Sequence, residues 1–163
     1  MEIRKAELID VEKIKAIYQY ARKQMKLNGN PTQWGDKHPE EAVMIEDIQS
    51  GNSYIIEEQG IICGVFAFIV GVEPTYQKID GAWKNEEQYG TIHRVASNGI
   101  VKGVLKKCLD YCEKRISNVR IDTHNDNKIM QHLLEKNGYE KCGIIYVADG
   151  SPRIAYQRTK EGE

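Results

Sequence analysis

The stretch Gly90 to Leu109, GTIHRVASNGIVKGVLKKCL, combines residue types and spacing suited to holding an anion. A β-branched run (Thr91, Ile92, Val95) breaks at Ser97-Asn98-Gly99, and a helical pattern follows at once through Val101, Val104, Leu105, Cys108, Leu109 and Cys112. A strand that feeds through a short glycine-bearing loop into a helix presents free backbone N–H groups and a positive dipole end. Lys102, Lys106 and Lys107 crowd the first turns, with no acid between Asn98 and Asp110. Cations there oppose the helix dipole by roughly 0.3–1 kcal/mol each. A phosphate in the loop explains such a cluster; a solvated basic face is the other reading. The loop lacks Gly-Lys-Ser/Thr, so it is not a nucleoside-triphosphate P-loop, and it lacks the GxGxxG of a dinucleotide fold.

Two histidines stand near this segment. His93 lies within the strand, and His124 ends a second strand, Val119-Arg120-Ile121-Asp122-Thr123. Histidine is the side chain whose ordinary pKa lies near neutral pH, which suits proton transfer. Counting back from Ser97 by twos puts Val95, His93 and Thr91 on one strand face.

The elements that would position these groups follow from periodicity. Residues 2–8 alternate as an opening strand. Asp10 is placed to cap a helix through Val11, Ile14, Ile17, Tyr18, Ala21 and Met25, which ends at Asn28-Gly29-Asn30-Pro31. A polar loop with Gln33, Trp34, Asp36 and His38 leads to Pro39-Glu40-Glu41, which opens a second helix closed by Gly51. Residues 53–58 and 61–72 read as a hairpin around Gln59-Gly60. Residues 73–89 are irregular and hold Tyr76, Trp83 and Tyr89. After the helix from Val101 come the strand at Val119, a helix through Ile129, Met130, Leu133 and Leu134, and last strands over 140–147 and 153–158. Thr159 to Glu163 is expected to fray. No repeat or linker interrupts the chain, which reads as one α/β domain over residues 1–163.

Composition narrows the partners. The 163 residues are 40% hydrophobic and 29% charged with a net charge of −1, so nothing steers the chain to nucleic acid or an anionic membrane. No apolar run nears the ~20 residues of a membrane span, and the first residues carry no signal-peptide core. Cys63, Cys108, Cys112 and Cys142 form no CxxC pair and sit in apolar patterns, which predicts reduced core thiols, a cytoplasmic protein and no metal site.

The order of elements and two motifs resemble the GNAT (Gcn5-related) N-acetyltransferases. The window Ile100-Val101-Lys102-Gly103-Val104-Leu105 aligns with the family's pyrophosphate loop, Gln/Arg-x-x-Gly-x-Gly/Ala, with Gly103 as the strict match. Asn127, Leu133, Lys136, Gly138 and Tyr139 match the second motif, Asn-x-x-Ala-x-x-Leu-Tyr-x-Lys-x-Gly-Phe; Met130 and Leu134 replace its alanine and tyrosine.

The resemblance implies the GNAT fold: a central mixed, mostly antiparallel sheet with splayed central strands, flanked by about four helices. It implies acetyl-CoA as co-substrate, an amine-bearing small molecule or peptide as acceptor, and a possible homodimer. By the same resemblance, main-chain groups of Val95, Ala96 and Ser97 would pair with the pantetheine arm. Lys102, Gly103, Val104, Leu105 and Lys106 would hold the pyrophosphate, and Asn127 would touch the cofactor mouth.

The base that deprotonates the amine would be His93, His124 or a water relay. A histidine acting directly would give a rate rising through a pKa of about 6–7. With leucine at 134, Tyr146 or Tyr156 could protonate the leaving thiolate. Trp34, Asp36 and Trp83, with Tyr76, would hold a cationic acceptor. The departures at 105 and 134 also fit a catalytically silent CoA-binding module that senses or scaffolds.

Overall fold

A computed structural model describes residues 1–160. Eight strands form one sheet: β1 (Glu2–Lys5), β2 (Ser53–Glu58), β3 (Ile61–Val70), β4 (Asp80–Gly81), β5 (Gly90–Ser97), β6 (Asn118–Thr123), β7 (Glu140–Tyr146) and β8 (Pro152–Thr159). Their order across the sheet is β1-β2-β3-β5-β6-β8-β7-β4. Four helices accompany them: α1 (Val11–Leu27), α2 (Glu41–Gln49), α3 (Val104–Glu113) and α4 (Lys128–Lys136).

Apolar residues cover both faces of the sheet. One face carries Ile56, Phe66, Phe68, Ile92 and Ile121 against Val104, Cys108, Leu109 and Cys112 of α3 and Leu134 of α4. The other carries Ile55, Val65 and Ala96 against Ile14, Ile17 and Tyr18 of α1 and Met44 of α2. The alternation of Ile55 with Ile56 and of Val65 with Phe66 sends neighbours to opposite helical layers. A third cluster, Tyr76, Tyr89, Ile145 and Ala155, fills the end near β7 and β8.

Several local expectations are corrected. β1 stops at Lys5, because residues 8–10 wind into a 3₁₀ turn. Asp10 does not cap α1 with its side chain. Its carboxylate accepts from both terminal nitrogens of Arg4, at 2.8 and 3.0 Å, and from the Glu7 amide at 2.8 Å. α3 begins at Val104, since Gly103 takes a left-handed conformation at its N-cap, with φ of 81°. β8 continues through Thr159, and residues 161–163 lie outside the described residues. Cys63, Cys108 and Cys112 are buried free thiols, whereas Cys142 is half-buried on β7.

Two features of the sheet make the site. First, β5 and β6 are parallel neighbours paired only at Gly90–Val119 and Thr91–Arg120, after which they diverge. β5 keeps its outer partner β3 as far as Ser97 and β6 keeps β8 as far as Thr123, so beyond Thr91 and Arg120 each of the two strands turns an unpaired edge to the gap. Second, β5 carries a bulge. Val65 pairs with Ala96 and Ala67 with His93, so Phe66 faces both Arg94 and Val95. Arg94 sits at φ 52° to absorb the extra residue. The bulge overturns the expected shared face of Thr91, His93 and Val95. Val95 packs with Ile92 on the α3 side, and His93, opposite Ala67, faces the α1 and α2 side.

Candidate active site

The divergence of β5 and β6 opens a cleft of about 530 Å³. Ile92, His93, Arg94 and Val95 form one wall and Ile121, Asp122 and Thr123 the other. Gln33, Trp34 and His38 from the loop between α1 and α2 cover it, and Glu73, Thr75 and Arg153 line it further. The bulge that shapes the first wall is fastened from behind. The Arg94 guanidinium donates to both carboxylate oxygens of Asp47 at 2.8 and 2.7 Å, and Tyr18 Oη donates to the Arg94 carbonyl at 2.8 Å.

His93 Nε2 stands 3.5 Å from Glu73 Oε1. The other Glu73 oxygen accepts from the Thr75 amide and hydroxyl, at 2.5 and 2.7 Å, which fixes the carboxylate. Burial lowers the His93 pKa to about 4, helped by the Arg94 charge and opposed by Glu73. The imidazole is therefore neutral at pH 7. Across the cleft Asp122 accepts from Tyr76 Oη at 2.6 Å, and burial raises its pKa above the ordinary carboxyl range. Burial likewise lowers the pKa of His38. Thr123 Oγ1 is buried at the wall without a hydrogen-bond partner.

A second groove of about 290 Å³ continues from the first and shares Met25, Val95 and Asn127 with it. It follows Val95, Ala96 and Ser97 to Gly99, with Tyr20 and Gln24 of α1 opposite. The loop beyond leads to the start of α3. No side chain caps that helix, and the first-turn amides of Val104, Leu105 and Lys106 precede its first bond, from the Lys107 amide to the Gly103 carbonyl. An unpaired strand edge thus runs from a helix N-terminus into a buried polar cleft. Among the described residues no group of three or more His, Cys, Asp or Glu side chains could hold a metal ion. No described helix is long and apolar enough to cross a membrane.

The sequence of residues 14–139 matches the model of the acetyltransferase (GNAT) family. The chain belongs to the GNAT acetyltransferase family. A GNAT-family acetyltransferase of Streptococcus agalactiae is 32% identical, with a TM-score of 0.89 over 98% of this chain and 95% of that one. A GNAT-family acetyltransferase of Listeria monocytogenes shares the fold at 18% identity and a TM-score of 0.72, covering 98% of this chain and 94% of the other. So does yncA of Salmonella typhimurium, solved with its cofactor acetyl-CoA, at 15% identity and 0.61, covering 99% and 95%. A search of curated proteins gave no match.

The GNAT cleft brings together some of the residues expected from sequence and leaves out others. His93, Trp34 and Asn127 line it. Asn127 spends its side-chain oxygen on the Met130 amide as the α4 cap, at 3.0 Å, and donates to Gln33 Oε1 at 3.0 Å. His124 is occupied: Nδ1 accepts from the Asp126 amide at 2.9 Å and Nε2 lies 3.3 Å from Thr32 Oγ1. It ties two loops together and does not line the cleft. Tyr146 donates to Asp80 at 2.8 Å on the exposed side of β7, away from the cleft wall. Tyr156 and Leu134 are wholly buried in the core beneath α3 and α4. Asp36 is exposed and paired with Lys26. Trp83 donates to the Tyr76 carbonyl at 2.9 Å and lies under Arg120, in a separate hollow. Lys106 pairs with Asp110 at 2.9 Å, so its charge is partly committed within α3.

Sequence reading missed Glu73, Asp122 and Arg153 as cleft groups. Glu73 carried one faint signal, the following Pro74, which starts the 3₁₀ turn that Glu73 caps. Arg153 carried none, since a basic residue near a strand start reads as solvated.

Proposed function

We propose that this GNAT protein is an N-acetyltransferase that moves the acetyl group of acetyl-CoA to the amine of a small acceptor. The observation that carries the reading is the unpaired β5 edge, which joins the α3 N-terminus to the buried His93–Glu73 pair. When bound, acetyl-CoA supplies an activated acyl thioester. Main-chain groups of Val95, Ala96 and Ser97 take the pantetheine arm as an added strand. The amides of Val104, Leu105 and Lys106 at the α3 start, the open backbone at Gly103 and the charge of Lys102 take the pyrophosphate. Asn127 stands where the two grooves meet.

The acceptor nitrogen must lose a proton. The amine attacks as the free base, and once its nitrogen has bonded to the acetyl carbon and become acidic, neutral His93 takes its proton, with Glu73 beside the imidazolium that results. Trp34 closes the cleft over the acceptor, which makes orientation a large part of the rate. The buried Leu134 offers no phenol to the departing sulfur, so the proton taken from the nitrogen passes to the thiolate through water, with the partnerless Thr123 hydroxyl able to relay it. The four free thiols suit a reducing cytoplasm.

The test is release of free CoA thiol from acetyl-CoA on addition of a broad amine panel. Release above the amine-free rate is expected for at least one acceptor class. The leucine at 134 favours one second reading, a CoA-binding module without turnover. CoA binding with no release across the whole panel would establish that reading instead.

A further inference from the structure

Arg153 lines the cleft and is 8% exposed. It sits on β8, opposite Ile145 of β7. Its guanidinium donates to the Pro152 carbonyl at 2.8 Å and to the Gln33 carbonyl at 3.4 Å. These bonds use two of the five N–H donors of an arginine. Among the described residues no carboxylate forms an ion pair with it. A buried guanidinium normally has a carboxylate or phosphate partner, because losing water without one is costly.

The same cleft contains the contrast. Arg94 is only half-buried, and Asp47 engages it at two points. The acids nearest Arg153 are otherwise occupied. Asp122 holds the Tyr76 hydroxyl; burial raises its pKa, and that bond and the Arg153 charge oppose the rise. Asp149 is exposed and accepts from the Ser151 amide at 2.8 Å. Arg153 is therefore a cation in the cleft wall that feels the charges of Asp122 and Asp149 but has neither within ion-pair distance, and its remaining donors bond no carboxylate. The loop it touches is tied down by two hydrogen bonds: Gln33 Oε1 accepts from Asn30 at 2.7 Å and from Asn127 at 3.0 Å.

We infer that the acceptor of this cleft carries a free carboxylate as well as its amine, and that Arg153 binds that carboxylate. The inference rests on the acetyltransferase reading for the role of the amine. The cleft then has two ends of opposite sign. Glu73 with His93 faces the ammonium, and Arg153 offers a planar fork that matches a carboxylate in two-point contact. The substrate class is the amino acids, α-, β- or γ-, in preference to monoamines, polyamines and amidated peptides. The cleft of about 530 Å³ suits a molecule of that size.

The test compares each of a set of α-, β- and γ-amino acids with its carboxamide, which keeps the amine and side chain and removes the anion. Binding is measured by calorimetry on the whole chain in the presence of CoA. At least one amino acid should bind tenfold or more tightly than its carboxamide. In Arg153→Met the ratio should fall below twofold, and in Arg153→Lys it should fall in between, because lysine keeps the charge without the fork. The inference is overturned if nothing binds, if no pair differs by more than twofold, or if the preference survives in a cooperatively melting Arg153→Met variant. If that variant does not fold, the wild-type ratios alone decide. Parallel measurement of CoA release separates the two readings. Carboxylate preference without release sinks the acetyltransferase and keeps the Arg153 site. Release driven equally by carboxamides does the reverse.

Discussion

His93 Nε2 lies 3.5 Å from Glu73 Oε1, and both side chains are about four-fifths buried. The strand that carries the histidine also turns an unpaired edge to the cleft beyond Thr91. In the mechanism proposed above, proton acceptance and cofactor alignment therefore sit on one element, and a shift of β5 would disturb both.

Replacing His93 by alanine should lower kcat by about 10²-fold or more, with little change in the acetyl-CoA KM. Glu73→Gln should lower it less, since it removes only the charge beside the imidazole. With the His93 pKa at about 4, kcat should show no step from this group between pH 6 and 7. A histidine at its ordinary pKa would instead give a rise through about 6–7. Steady-state rates against pH, with an acceptor amine of known pKa, check both points. Wild-type kcat in both variants would remove the pair from the proton path.

The same histidine links pH to stability. Unfolded, it titrates near 6.5; folded, at about 4. Between those values the unfolded chain binds more protons, so stability is present above about 6.5 and is lost as pH falls towards 4. His38, also lowered by burial, adds to the same slope. Thermal melts from pH 7 to 4.5 should therefore fall several degrees less in His93→Gln than in wild type. Equal slopes would count against the buried neutral imidazole.

Asp47→Ala should strand the Arg94 guanidinium behind the bulge. The expected cost is about 3 kcal/mol, a loss of roughly 10 °C in Tm. Because Arg94 is the bulged residue, the acetyl-CoA KM should rise as well. Asp47→Ala combined with Arg94→Met should recover part of the stability. A double variant no more stable than the single one would mean that the pair is not what holds the bulge.

CoA affinity should weaken as salt rises, because the proposed pyrophosphate site draws on exposed lysines. Lys102→Glu should weaken binding more than Lys106→Glu, since Lys106 already pairs with Asp110 at 2.9 Å. Calorimetry at two salt concentrations gives both comparisons, and a larger effect at Lys106 would misplace the pyrophosphate. Gly103→Ala needs a melt beside the titration. A β-carbon there meets nothing nearer than Met1 Cε at 3.8 Å, yet φ of 81° strains it by roughly 1–2 kcal/mol. Gly103→Asn should be tolerated better than Gly103→Ala.

The amino-acid sequence alone determined the succession of the longer strands and helices, because burial imposes periods that any contiguous run displays; it read residues 73–89 as irregular and so missed the 3₁₀ turn at Pro74–Tyr76 and the two-residue β4. Val11, Ile14, Ile17 and Tyr18 sit at helical spacing, and Ile55-Ile56 and Val65-Phe66 serve two buried faces. The loop before α3 was legible for the same local reason. Glycine at 99 and 103 and lysine at 102 act through φ and charge within a few residues. His93 was legible as a titratable group on the right strand.

What it would face was not legible. A one-residue bulge at Arg94 reverses the side-chain parity of β5, and its support comes from Asp47 and Tyr18, far away in the chain. Trp83 and Tyr146 have the chemistry of site residues, but β4 and β7 carry them to another part of the sheet. His124 was spent on holding two loops together. Glu73 and Arg153 look like ordinary charges in the sequence. Burial against a splayed strand pair makes them strong, and burial is decided by contacts between distant segments, which only the tertiary structure supplies.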